Sequence, residues 1–306
     1  MTALPPARFS LLTANLICMA SMMVWAAGLP AADVLIGKLP PLPLTAMRMG
    51  LAAVVLLPLW WALDGWAALR DAAWGRGLVV GALSIGLGAF LLVVAQKATD
   101  AVTVAVISAN MPVIGMAIEC VLDGRKLTLT LVLGIVLSLA GGLMAYASSM
   151  GSLSLGIGAL SAFASLVVFT LGSRVTVTSF PTLSPIGRTA ITMVGAGLGT
   201  SLAALVMGFS APAIDWSVIG WREVGALCIF SLGGMALSQV LWIMSVGQLG
   251  IGLASLHINA APFYVMIILF ALGAPWNWTQ ALGAAVVGLG VLIAQGVFTP
   301  QRVELT

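Results

Sequence analysis

The one side chain poised to exchange a proton near neutral pH is His257, the only histidine in a chain of 306 residues. It lies in the apolar run IGLASLHINAAPFYVMIILFAL, residues 251–272. A neutral imidazole donates a hydrogen bond from one ring nitrogen and accepts at the other. Two roles stay open for it: a ligand contact or proton site, or a structural hydrogen bond between helices. Bond-breaking chemistry has little to work with. There is no G-x-S-x-G, no H-E-x-x-H and no evident acid to orient the imidazole, so a hydrolase using a serine and His257 is a remote reading. No G-x-x-x-x-G-K-[ST] loop is present to hold a nucleotide phosphate. Cys18, Cys120 and Cys228 stand far apart in apolar runs, where they read as small hydrophobic packing groups, without metal-ligand or disulfide spacing. No cofactor, metal or catalytic residue is expected, which leaves recognition.

For recognition the chain offers soft and aromatic side chains. Met22 and Trp25 share a face of the first apolar stretch with Cys18 and Leu29, and Phe90, Met111, Phe169, Trp242 and Tyr264 lie inside others. Such groups make a polarisable wall suited to apolar or aromatic cargo. Two prolines add polar groups at depth. Pro112 sits eleven residues into AVTVAVISANMPVIGMAIECVL (101–122), and Pro262 sits eleven residues into 251–272. A helix-interior proline removes one amide and frees the carbonyl four residues earlier, here those of Ser108 and Ile258. With Ser108, Ser238 and His257, these positions outline a pocket for a small amphiphile carrying an amine or amide donor.

Three charges remain to be placed. Glu119 lies toward the end of 101–122 and reads first as an interfacial carboxylate near Arg125 and Lys126, second as a coupling site. Arg48 and Arg188 each stand early in their stretches. Either could meet a substrate carboxylate or a gating acid, Asp33 or Asp100 in the case of Arg48. Snorkelling to headgroups or capping of backbone is the preferred reading.

The elements that must position these residues follow from composition. Hydrophobic residues make up 61% of the chain and charged ones 7%, with a mean hydropathy of +1.16. So little polar surface excludes a water-soluble domain and predicts a polytopic all-α membrane protein. The net charge of +3 comes from basic residues scattered at helix ends, which argues against a nucleic-acid partner. Ten apolar segments are predicted, at 11–35, 42–63, 76–95, 101–122, 127–147, 154–174, 183–208, 222–246, 251–273 and 278–298. The first is too long for a leader's apolar core and lacks a convincing cleavage site. Ten spans put both termini on one side, and the cytoplasm is favoured. That side then holds Arg8, Arg70, Arg76, Arg125, Lys126, Arg174, Arg188 and Arg302, against Lys38, Lys97, Arg48 and Arg222 outside. Trp60, Trp61, Trp66 and Trp74 would anchor the inner interface, and Trp216, Trp221, Trp276 and Trp278 the outer one.

The ten segments divide into two halves, residues 1–150 and 151–306, each of five spans. An odd number of spans inverts the second half relative to the first, so the fold predicted is ten transmembrane helices as two inverted five-helix repeats. Paired residues support this register. Pro112 pairs with Pro262, Gly134 and Gly141 with Gly283 and Gly290, Trp25-Ala-Ala-Gly28 with Phe169-Thr-Leu-Gly172, and Arg48 with Arg188. The glycines Gly77, Gly81 and Gly88, and Gly195, Gly197 and Gly199, read as close helix packing in preference to hinges.

Residues 24–59, 95–128 and 131–145 (VWAAGLPAADVLIGKLPPLPLTAMRMGLAAVVLLPL, AQKATDAVTVAVISANMPVIGMAIECVLDGRKLT and LVLGIVLSLAGGLMA) resemble the EamA-type drug/metabolite transporter superfamily, with a looser copy over 244–293. The resemblance implies a ten-helix transporter with cytoplasmic termini. Within that superfamily the chain is similar to the YddG-type exporters, which implies efflux of amino acids, aromatic ones especially, and of some cationic drugs. Asp123-Gly124-Arg125 departs from the Gly-Glu-Arg that many members carry there. The expected role is therefore a bacterial inner-membrane exporter of small metabolites, amino acids first, working by alternating access in the lipid bilayer and without an ATP site. Passive, facilitated export is the simpler mechanism, since no acid stands near mid-depth. A nucleotide-sugar, lipid or cationic-drug carrier on the same fold is the alternative.

Overall fold

A computed structural model describes residues 10–99, 101–147, 156–208, 214–273, 275–276 and 278–294. Arg8, Asp100, Arg302 and the junction between the two predicted halves lie outside the described residues. The described regular structure is helical throughout.

The helices, in chain order, are α1 (Leu11–Ile36), α2 (Pro41–Arg70), α3 (Trp74–Val80), α4 (Leu87–Ala98), α5 (Ala101–Ser108), α6 (Met111–Leu122), α7 (Leu129–Ala147), α8 (Ile157–Ser179), α9 (Pro185–Gly208), α10 (Trp221–Cys228), α11 (Ser238–Ser255), α12 (Ala261–Ala271) and α13 (Trp278–Ala294). Wider π turns at Gly81–Gly86 and Ile229–Leu237 join α3 to α4 and α10 to α11, and a 3₁₀ turn at Leu256–Ala260 joins α11 to α12. Among the described residues, six continuous helical stretches are long and apolar enough to cross a membrane: Leu11–Ile36, Pro41–Arg70, Trp74–Ala98, Ile157–Ser179, Pro185–Met207 and Trp221–Ala271. Shorter apolar helices lie at Met111–Leu122, Leu129–Gly141 and Ala281–Gly290. The outward faces carry Val54, Leu83 and Leu202, all more than 60% exposed. A helix apolar on its outer as well as its inner side belongs in lipid. The chain is thus a multi-pass helical membrane protein.

Local chemistry explains the boundaries. Ser10 caps α1, its hydroxyl accepting from the Thr13 amide at 3.1 Å. Pro41 and Pro112 occupy first-turn positions of α2 and α6, where no amide is missed. The stretch Trp221–Ala271 has 51 residues, which as a straight helix would run roughly 75 Å and far overshoot a bilayer. It turns back at Gly250, whose φ of 77° and ψ of 162° suit glycine alone. The segment predicted at 101–122 is interrupted at Ala109–Asn110, between α5 and α6.

Packing is tightest where glycines meet. Gly77 and Gly81 press against Ile191 and Thr192 of α9, and Gly195 against Leu78, so helix axes approach with no room for a side chain. The main pairings are α2 with α9, α7 with α13, α4 with α8, and α1 with both α11 and the π turn at Ile229–Leu237. Two sequence-based placements need correction. Trp60 is no lipid anchor: it is fully buried, and its ring lies 5.9 Å from that of Trp74. Cys228, expected to pack internally, is exposed.

Candidate functional site

The cavity at the centre of the bundle is built from matched positions on its two sides. From α1 come Ser21, Met22 and Trp25, and from α8 come Ser165, Leu166 and Phe169. Each residue of the second set lies 144 positions after its counterpart in the first. Gly88, Ala89 and Leu92 on α4 face Ser238, Gln239 and Trp242 on α11, and each of these pairs is 150 apart. Ser108 and Ile258, also 150 apart, close a further side. Arg48, Met111 and Met235 complete the lining without a partner in this series.

Hydrogen bonds repeat the same arithmetic. The Ser21 hydroxyl donates to the Ser238 carbonyl at 2.8 Å, and the Ser165 hydroxyl donates to the Gly88 carbonyl at 2.7 Å. Both bonds are buried, and each ties a straight helix to one that leaves a π turn, where backbone carbonyls are displaced from their usual partners. Gly28 approaches Gly234 closely enough that an added Cβ would stand 3.2 Å from the Gly234 Cα, and Gly172 abuts Ser84 in the same relation. The aromatic wall is held as a unit. Phe169 and Trp242 stack with centroids 6.5 Å apart, and the Trp242 indole N–H donates to the Ser173 hydroxyl at 2.9 Å.

Arg48 is the polar feature that sequence reasoning misjudged. It neither snorkels to headgroups nor pairs with Asp33, whose carboxylate instead accepts from the Gln96 amide at 2.8 Å. The side chain is 1% exposed. Its Nε donates to the Phe230 carbonyl and its Nη2 to the Gly234 carbonyl, both at 3.3 Å. The guanidinium carbon lies 3.7 Å from the Phe230 ring centre. Among the described residues Nη1 has no hydrogen-bond partner, nor does Nε2 of Gln239. The π turn explains the burial: it offers carbonyls that an ordinary helix would have consumed. Arg188, by contrast, caps a loop, donating to the Phe180 and Pro181 carbonyls at 2.8 and 3.1 Å.

Of the residues proposed from sequence, Met22, Trp25, Ser108, Met111, Phe169, Ser238 and Trp242 line this cavity. Phe90, Pro112, His257, Pro262 and Tyr264 do not. Phe90 follows Ala89 and is turned about 100° away from it around the helix. His257 is buried in the 3₁₀ turn, Nδ1 3.2 Å from the Ala254 carbonyl. Pro262 starts α12, and the Ile258 carbonyl expected to be bare accepts from the Ala261 amide. Glu119 has the neighbour expected for it and is buried within the protein. It is 6% exposed, pairs with Arg125, and accepts from the Gly252 amide at 2.8 Å, just past the Gly250 turn. Arg48 and Gln239 were missed as cavity residues. The 144 spacing that relates Trp25 to Phe169 points directly to Ser165 and Leu166; no sequence signal marks Gln239.

A multi-pass helical bundle with a small internal cavity lined from both sides is the architecture of a membrane carrier, and the comparisons agree. Residues 12–147 match the EamA-like transporter family, which supports a membrane transporter of small molecules. A protein of Bacillus subtilis (strain 168) named "Uncharacterized transporter YyaM" is 29% identical over 269 residues, which cover 86% of this chain and 87% of that one. A solved crystal structure of a protein with 20% sequence identity superposes with a TM-score of 0.77, covering 95% of this chain and 98% of its own. At that identity the likeness speaks to the fold alone.

Proposed function

We propose that this protein exports small metabolites, amino acids first among them, across the bacterial inner membrane by alternating access. In this reading residues 1–150 and 151–306 are inverted five-helix repeats, both termini are cytoplasmic, and the halves rock about the cavity. The observation that carries it is the cavity's matched lining: Ser21 with Ser165, Trp25 with Phe169, Ser108 with Ile258. The two buried bonds, Ser21 to Ser238 and Ser165 to Gly88, exchange under the same relation. So do the helix pairings α1 with α11 and α8 with α4. Binding between two repeats of opposite orientation is the arrangement that lets one site face each side in turn.

The cavity's contents favour a small cargo with an apolar or aromatic body. Its volume of about 60 Å³ holds several waters, where about 10–15 Å³ suffices for one. That is little room for a nucleotide sugar, and Arg48 disfavours a cationic drug. Purified protein in liposomes, tested with a labelled panel of neutral amino acids, organic cations and nucleotide sugars with and without a pH gradient, decides the reading. Flux of neutral amino acids down their gradient is expected. A panel in which no amino acid moves would remove that cargo class.

A further inference from the structure

We infer that Arg48 and Gln239 form a carboxylate seat, so that the cargo's carboxylate is required for binding and its amine is dispensable. The inference deepens the transport reading and rests on it only for the direction of movement. Arg48 is a cation at neutral pH. It is fully buried, and among the described residues no acidic side chain forms an ion pair with it. Two of its nitrogens are committed to the Phe230 and Gly234 carbonyls, which fix the guanidinium in place. Among the described residues Nη1 finds no acceptor for its N–H donors, nor does Nε2 of Gln239, which is 3% exposed. Both side chains line the same cavity. A buried cation without a counter-ion carries a large desolvation cost, and an entering anion relieves it. A carboxylate supplies the oxygens these donors lack, through charge-assisted hydrogen bonds.

The rest of the lining sets the remainder of the cargo. Among the described residues it contains no aspartate or glutamate, so nothing there pairs with an ammonium group. Hydroxyl and carbonyl oxygens of Ser108 and Ser238 can accept from an amine but do not require one. Trp25, Phe169 and Trp242 offer an apolar wall. The matched side of the cavity has Ala89 where this one has Gln239, and Arg188 does not line it. Charge therefore resides at one end only, and a cargo with one anionic head and an apolar body fits that polarity.

Calorimetric titration of the purified protein with phenylalanine, 3-phenylpropionate, phenylalaninamide and phenethylamine tests this directly. The two carboxylates should bind with similar affinity. The amide and the amine should bind at least about tenfold more weakly, the scale of one lost charge-assisted bond. Arg48→Gln should abolish the preference, and Arg48→Lys should blunt it. Gln239→Met removes the second donor without touching the bonds of Arg48 and should weaken carboxylate binding by a few fold while the melting temperature holds. Equal binding of amide and acid, or no carboxylate binding to the wild-type protein, overturns the seat. Liposome flux separates the two readings: carboxylate binding without flux removes export and leaves the seat, whereas flux that ignores the carboxylate removes the seat and leaves export.

Discussion

The two walls of the cavity share a backbone plan and differ in chemistry. On one wall Ser165 of α8 grips the Gly88 carbonyl, and on the other Ser21 of α1 grips the Ser238 carbonyl. Yet Ala89 and Leu92 stand where the opposite wall has Gln239 and Trp242. The arginines diverge further. Arg48 turns into the bundle and caps carbonyls of the Ile229–Leu237 turn, while Arg188 caps a loop. Helix packing tolerates only small residues and particular hydrogen bonds at its crossings, so those recur. The proposed cargo has one polar end and one apolar end, and the side chains facing the cavity depart from symmetry in that sense.

The widest gap between the walls is predicted for the arginines. Arg48→Gln should erase discrimination between a carboxylate and its amide, a loss of at least about tenfold, whereas Arg188→Gln should leave discrimination intact and lower only the melting temperature. Equivalent losses in both titrations would mean that the pair acts through stability alone. A second contrast concerns the glycine crossings. Gly28→Leu meets the Gly234 Cα with its Cβ 3.2 Å away, while Gly172→Leu drives its Cβ much closer, onto the Ser84 Cβ, an atom the Ser84 backbone holds in place. Overpacking typically costs about 1–3 kcal/mol, and the Gly172 variant should lie at the upper end in thermal unfolding, with Gly28 below it.

The serines should behave alike. Ser21→Ala and Ser165→Ala each remove a buried hydrogen bond worth about 1 kcal/mol, and equal drops in melting temperature would show that these matched positions also match in energetics. The smallest effect lies at the membrane edge. Arg174 hydrogen-bonds to the Asp123 carboxylate and holds it below the ordinary value of 3.8. This pair's contribution is complete above that value and is lost as pH falls through the lowered one. Because the pair is exposed, salt should screen it. Asp123→Asn should therefore change the melting temperature slightly at neutral pH and not at all in acid.

Much of this plan was legible because lipid simplifies sequence. Apolar length marked the helices, and Pro112 and Pro262 marked the two interrupted ones. Trp25 and Phe169, aligned through the glycines three residues on, both line the cavity. What stayed hidden depends on backbone detail without a residue signature. The π turns carry no proline, and they create the carbonyls that draw Arg48 inward, so an arginine near a helix start read as a surface group. The same holds for His257 and Ile258: the 3₁₀ turn supplies local partners that an ordinary kinked helix would have left open. Trp60 looked like its neighbour Trp61, and only the close approach of Gly187 shows why one ring is buried and the other exposed.

In the proposed transport cycle, cargo passes through the shared cavity. Leu92→Trp tests it by placing on one wall the ring that Trp242 already gives the other. Counterflow of labelled phenylalanine should be present in wild-type liposomes and fall to background in this variant, with its melting temperature preserved. Undiminished counterflow through a cavity filled by a second indole would place the path elsewhere and contradict the account.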